Sequence, residues 1–256
     1  MRLELPRMHL LGIGTLYAPD GIRHALKYRK GWALLGYLAV ERGRFHGREL
    51  LSTLLWPALD MQAARNNLRQ VLADLQCKLR EAGFDSLLVT EKEAIGIFPV
   101  PRSRLLFDID LIDPLLLTED QAIGLLEPHS WPGNGCLLEG LKLQECREFE
   151  DWLQYTRQYL LRREQQLMEL LRDHYCAHGL HDRAADLALR LITADRWNEA
   201  HHRALMRVLA TAGNLNQALG AFESLRKTLR QDLDIEPGEA SCALRDEIRA
   251  ARDQSQ

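Results

Sequence analysis

The chain has 256 residues, 46% hydrophobic and 27% charged, a composition that folds, leaves room for two domains and excludes a disordered tail. No window holds the ~18 consecutive apolar residues of a membrane span, and residues 1–14 lack an apolar core followed by a small-residue cleavage site. Five cysteines (Cys77, Cys136, Cys146, Cys176, Cys242) stand far apart without a CxxC, so neither a disulfide framework nor a zinc knuckle is expected, and a reducing cytoplasm is the expected compartment. The net charge of −3 conceals +4 over residues 1–110 and −7 over residues 111–256. Between positions 23 and 48, Arg23, Lys27, Arg29, Lys30, Arg42, Arg44 and Arg48 face only Glu41. Such an imbalance suits either a solvated surface or a front half that meets a polyanion.

Residues 1–28 read as short strands: an apolar Leu10–Tyr17, the turn Ala18-Pro19-Asp20-Gly21, then Ile22–Leu26. Gly12-Ile13-Gly14 is not a dinucleotide loop, because no third glycine opens a helix after it and Pro19-Asp20-Gly21 interrupts. Three helices are predicted next. The first spans Arg29–Glu41 and stops at Gly43; the second spans Gly47–Leu55 and ends at Trp56-Pro57. The third begins at an N-capping Asp60 and runs to Ala82, with Gly83 beyond it. Its Ala64, Leu68, Val71, Leu72, Leu75 and Leu79 follow the spacing of one buried stripe.

The other face of this helix carries Arg65, Asn66, Arg69, Gln70 and Lys78. That pattern is an ordinary solvated face or a base reader, since arginine offers a fork for guanine and an amide offers a paired donor and acceptor for adenine. Leu87–Thr90 and Ile95–Phe98, joined by Glu91-Lys92-Glu93-Ala94, read as a β-hairpin. Strands, three helices and a hairpin are the order of a winged helix-turn-helix, in which the third helix enters the major groove. On this reading Lys30 and Lys78 are phosphate contacts, Arg65 and Arg69 the leading base readers, and Asn66 and Gln70 their partners. Trp56 reads as a core plug beside the loop before the third helix.

Pro99-Val100-Pro101 reads as a hinge that also carries Arg102 and Arg104. Phe107-Asp108-Ile109-Asp110-Leu111 alternates like a strand before Asp113-Pro114, residues 129–135 read as loop, and an apolar run resumes at Cys136–Leu141. From Glu148 to Arg252 the chain is helical in pattern. Gly179 recurs as Gly213, Ala184 as Ala218 and Leu191 as Leu225, all at a spacing of 34 residues. Glycine at a turn and alanine at a close contact, at that period, form a tetratricopeptide pattern. Ala200 and Pro237-Gly238 are read as the exits of the second helices. The fold class expected is therefore mainly α with a small β component: a winged helix-turn-helix domain over 1–100, a linker at 99–106, and a tetratricopeptide-like repeat domain over 101–256.

These residues resemble a known family. Arg29–Ala39, Arg48–Pro57 and Ala63–Leu75 are similar to the helices of regulators of the Streptomyces antibiotic regulatory protein (SARP) type. Phe107–Asp110, Gly140, Trp152, Trp197–Met206 and Asp234–Glu239 resemble the bacterial transcriptional activator domain. The resemblance implies an OmpR-type winged helix joined to a repeat-type activator domain, acting as a sequence-specific transcriptional activator without a cofactor. Double-stranded DNA with promoter direct repeats and RNA polymerase are the implied partners, with a homodimer forming on DNA. Carried over by position, Arg65, Asn66, Asn67, Arg69 and Gln70 lie on the recognition helix, Lys30 on the first helix and Lys92 at the wing tip. Asn67 is equally readable as a packing residue. The wing departs from the pattern in its acidity, Glu91-Lys92-Glu93. Family members include longer proteins, so the chain reads either as a complete small regulator or as the effector part of a larger, signal-responsive one.

Two other classes compete. His174, Cys176, His178 and His181 cluster, and a pair four residues apart can share a helix face and hold a metal. They fall where the repeat predicts a turn, no HExxH accompanies them, and no nucleophile or phosphate-loop signature occurs, so no catalytic or metal residue is expected. The other alternative is a tetratricopeptide-like interaction adaptor.

Overall fold

The computed structural model describes residues 7–98, 107–112 and 135–254; the expected hinge at 99–101 with Arg102 and Arg104, Asp113-Pro114, and all but Gly135 of the 129–135 loop lie outside them. The chain packs as two compact units, residues 1–163 and 164–256.

In the first unit, β1 (Arg7–His9), β2 (Thr15–Tyr17) and β3 (Arg23–His24) form an antiparallel meander in which Met8 pairs with Leu16 and Leu16 with His24. The turn between β2 and β3 closes through Gly21, whose φ of 83° only glycine adopts freely. Helices α1 (Arg29–Val40), α2 (Arg48–Leu55) and α3 (Met61–Glu81) follow within a residue or two of the predicted bounds. The hairpin β5 (Leu88–Thr90) and β6 (Ala94–Ile97) is also as expected. A short strand β4 (His46–Gly47) pairs with β6 as well, making a sheet of order β4-β6-β5. Two residues carry no alternation for a sequence reading to detect.

The Phe107–Leu111 segment is not a strand. Asp108–Leu111 is a single turn of 3-10 helix, because both aspartates turn inward as acceptors. Asp108 accepts from the backbone N–H of Leu10 (2.8 Å), Leu11 (2.9 Å) and Ile109 (2.9 Å). Asp110 accepts from the N–H of Phe107 and from the guanidinium of Arg42. The carboxylates thus satisfy donors at the edge of the β1–β2 meander, the requirement that every buried polar group faces.

Residues 135–163 are part of this unit. The N–H groups of Leu138 and Glu139 donate to the carbonyls of Leu10 and Gly12, both at 2.8 Å. Arg157 donates to the carbonyls of Leu137 and Leu138 at 2.7 Å each. Leu138, at φ 48°, fills the notch left by Gly36 on α1, where a Cβ would stand 2.6 Å from its Cδ1. Helix α4 (Arg147–Ala177) begins here, with Phe149 fully buried, the Trp152 ring tilted at 55° against Tyr37 with centroids 4.8 Å apart, and the Trp152 indole donating to Glu41 at 3.0 Å.

The division between the units falls inside α4. The second unit continues with α5 (His181–Ala194), α6 (Glu199–Thr211), α7 (Leu215–Leu233) and α8 (Glu239–Gln254). The repeat has the geometry its residues dictate. Gly179 and Gly213 turn at φ 73° and 79°, while Ala184, Ala218, Leu191 and Leu225 are wholly buried. Ala200 is not a helix exit: Asn198 caps α6 by accepting from the Ala200 N–H at 3.0 Å, so Ala200 lies in the first turn of that helix. Asp234, at φ 54°, ends α7 ahead of Pro237-Gly238.

This packing sets the response to mutation and to pH. Asp108→Ala leaves backbone donors unpaired and is expected to cost about 3 kcal/mol in urea unfolding. In the second unit, burial holds the imidazoles of His201 and His202 below the ordinary histidine value of 6.5. Because the unfolded chain takes up protons that the fold refuses, their contribution is complete above that value and is lost as pH falls through it. The urea midpoint should therefore drop between about pH 7.5 and 5.5, and less so in the His201→Gln/His202→Gln variant.

Candidate nucleic-acid interface

Helix α3 begins because Asp60, in extended backbone, accepts from the Ala63 N–H at 2.9 Å. It buries Ala64, Leu68, Val71, Leu72, Leu75 and Leu79 as one stripe, chiefly against α2 and α1. This fixes its rotation. Gln62, Asn66, Arg69, Gln70, Ala73 and Gln76 are exposed on the opposite side.

Of the sequence-derived residues, Asn66, Arg69 and Gln70 come together on that outward face. Arg69 donates to the Asn66 side-chain oxygen at 3.2 Å, and Gln62 donates to the same oxygen at 3.4 Å. This ladder holds the Arg69 guanidinium alongside an amide, the combination that reads purine edges. Gln62 and Gln76 join the face without standing among the sequence-derived residues, although helical spacing from Asn66 and Arg69 places them on the same side.

Arg65 sits at the edge of this face, half-buried, with Glu49 of α2 at 3.7 Å and Glu93 of the hairpin at 3.9 Å. These acids come from two other elements, and no spacing in the sequence foretells them. Lys78 lies near the far end of α3, tied to Glu81 at 2.7 Å. That hydrogen bond raises the lysine and lowers the carboxylate from their ordinary values, so its charge is compensated locally. Lys92 is exposed at the hairpin tip between Glu91 and Glu93.

Lys30 and Asn67 lie on the other flank. Lys30 pairs with Glu145 at 3.0 Å and stands 5.1 Å over the ring of Trp56, which is buried as a core plug. Asn67, half-buried, and Gln70 line a groove of about 490 Å³ together with Lys30. The candidates therefore do not form one cluster. Three crown α3, and the rest divide between an acid-lined edge, a basic groove, the helix end and the hairpin tip.

Among the described residues, no group of three or more His, Cys, Asp or Glu side chains converges as a metal set. His178 instead donates through Nδ1 to the His174 carbonyl at 2.8 Å, with the two rings 4.2 Å apart at the end of α4. No helix among the described residues is long and apolar enough to cross a membrane. Because Asp60 is the cap that starts α3, Asp60→Ala should cost about 1 kcal/mol in thermal or urea unfolding.

Residues 134–249 match the family of the bacterial transcriptional activator domain. The solved structure of Mycobacterium tuberculosis EmbR in complex with a low-affinity phosphopeptide is similar at a TM-score of 0.65 and 21% identity, over 96% of this chain. The chain spans 65% of the length of EmbR in that structure. At that identity the likeness speaks for the fold. No curated protein matches the chain. The match over residues 134–249 and the likeness to the EmbR structure thus agree with the fold described above, a winged helix followed by a helical segment similar to the bacterial transcriptional activator domain.

Proposed function

We propose that the chain is a sequence-specific DNA-binding transcriptional activator that seats α3 in the major groove of promoter direct repeats. The observation that carries this reading is the outward ladder of Gln62, Asn66 and Arg69 on a helix whose rotation is fixed by its buried stripe. Arg69 is the leading base reader, with Asn66 and Gln70 beside it. Arg65 contributes from the edge, its charge shared with two carboxylates. A direct-repeat operator calls for protomers arranged head to tail, with half-sites about 10–10.5 base pairs apart so that both helices meet one side of the duplex.

The loop between α2 and α3, with Leu59 exposed, together with Met61 at the start of α3, is the surface offered to RNA polymerase in this reading. A cytoplasmic location and a homodimer on DNA belong to the same proposal; the alternative is that the chain is the effector part of a larger, signal-responsive regulator. An adaptor reading draws on a groove of about 620 Å³ in the second unit, where Asp182 and Asp186 stand beside apolar Leu189 and Leu205.

The test uses Arg69→Ala, with operators selected from a random duplex library by the wild-type chain. A weakening of about 1–3 kcal/mol on the selected operator, with little change on random duplex, is the expected result. Equal weakening on both would make Arg69 a phosphate anchor. A wild-type chain that enriches no sequence would favour the adaptor.

A further inference from the structure

The two flanks of α3 differ in charge. On the hairpin side, Arg65 stands between Glu49 and Glu93, whose side chains are 70% and 68% exposed. Arg48 is turned toward the carbonyl of Glu91 at 3.2 Å. A phosphodiester strand on this side would meet carboxylates as often as cations. The opposite flank is the groove that Asn67 and Gln70 open onto, and there Lys27, Arg29, Lys30 and Lys142 surround a single acid, Glu145.

The walls of the groove are built. Arg29 donates to the Lys142 carbonyl at 2.9 Å, and Lys30 bonds Glu145 at 3.0 Å. These contacts fasten the segment 142–145 beside the start of α1 and use up the one carboxylate. Among the described residues, Lys27 and Lys142 have no ion-pair partner, and both are exposed. Lys27 rests 5.2 Å over the ring of Tyr28, which orients it without neutralising it. The positive end of α1, whose capping residue Tyr28 supplies no side-chain acceptor, adds to the same potential.

Resting on the DNA-binding reading above, we infer that this groove holds the DNA backbone beside α3, with Lys27 and Lys142 on its phosphates. Lys142 belongs to the activator domain, so that domain completes the DNA interface and the acidic hairpin does not carry the backbone contact. A phosphate there lies against the same helix whose Asn66 and Arg69 face the bases, which fixes the register in which those bases are read. The ligand is a phosphodiester of duplex DNA, and free phosphate is the alternative source of the same chemistry.

The experiment measures the affinity of the full chain for random duplex and for its selected operator as a function of salt. Removing one phosphate-binding cation lowers the magnitude of the slope of log K against log salt by about 1. Lys27→Ala/Lys142→Ala should therefore lower it by about 2 on both duplexes, with the preference for operator over random unchanged. Lys92→Ala should leave the slope nearly as it is. Both groove lysines are exposed, and the Lys27 backbone N–H that donates to Asp74 at 2.9 Å survives substitution, so folding is not at stake. An unchanged slope in the double variant, or a larger drop for Lys92→Ala, would overturn the inference while leaving the Arg69 reading intact. Protection of the groove by inorganic phosphate at concentrations too low to screen the duplex would also overturn it, in favour of a free-anion site. A wild-type chain with no salt-dependent duplex binding removes the inference together with the reading beneath it.

Discussion

The geometry of the first unit hangs on the burial of one stripe of α3. Four leucines, a valine and an alanine on that stripe pack chiefly on α2 and α1. Each leucine so buried contributes about 1.5–3 kcal/mol, far more than any surface contact of the same helix. A rotation of α3 by one residue would expose part of this stripe and bury Arg69 or Asn66, so the apolar side settles where the polar side points. The polar ladder on the outer face is weak by itself. It holds because the helix beneath it cannot turn.

A second constraint is the way residues 135–163 are bound into the same unit. Leu138 in the notch at Gly36, Arg157 on two carbonyls and Trp152 between Tyr37 and Glu41 fasten the start of the segment that matches the activator-domain family to α1. The carboxylates of Asp108 and Asp110 do the same for the meander and the end of α1, reaching donors 68 to 98 residues away in the chain. Boundaries drawn by family and boundaries drawn by packing therefore differ. The family match begins at residue 134, while the compact unit that contains the winged helix runs to Arg163. A basic groove with walls from both sides of the family boundary is the direct product of that overlap.

The electrostatics of the unit are correspondingly local. Many cations of the front half are already committed: Arg42 to Asp110, Arg44 to Glu41, Lys30 to Glu145 and Lys78 to Glu81. Among the described residues, Lys27 and Lys142 carry no ion pair, and both stand beside the start of α1. In the second unit the charged groups pair largely within helices or between neighbours, as in Arg226 with Glu223 and Arg203 with Glu199. Burial of the histidines of α6 shifts their imidazoles below the ordinary value, because desolvation disfavours the charged form.

Local spacing marks the three helices of the first unit, the helical character of the second, the cap at Asp60, the hairpin and the repeated Gly, Ala and Leu positions. All of these depend on residues close along the chain, whose spacing sets a period or a turn. It also determined that Asn66, Arg69 and Gln70 share a face, since helical periodicity alone places them together. That Asp108–Leu111 forms a 3-10 turn follows from long-range packing, because Asp108 answers donors in the segment just after β1. Such packing likewise decided that β4 exists, that Glu49 and Glu93 draw off the charge of Arg65, and that Lys142 stands with Lys27. Those relations join elements far apart in sequence, and a carboxylate or an ammonium carries no local mark of the partner that packing will bring to it.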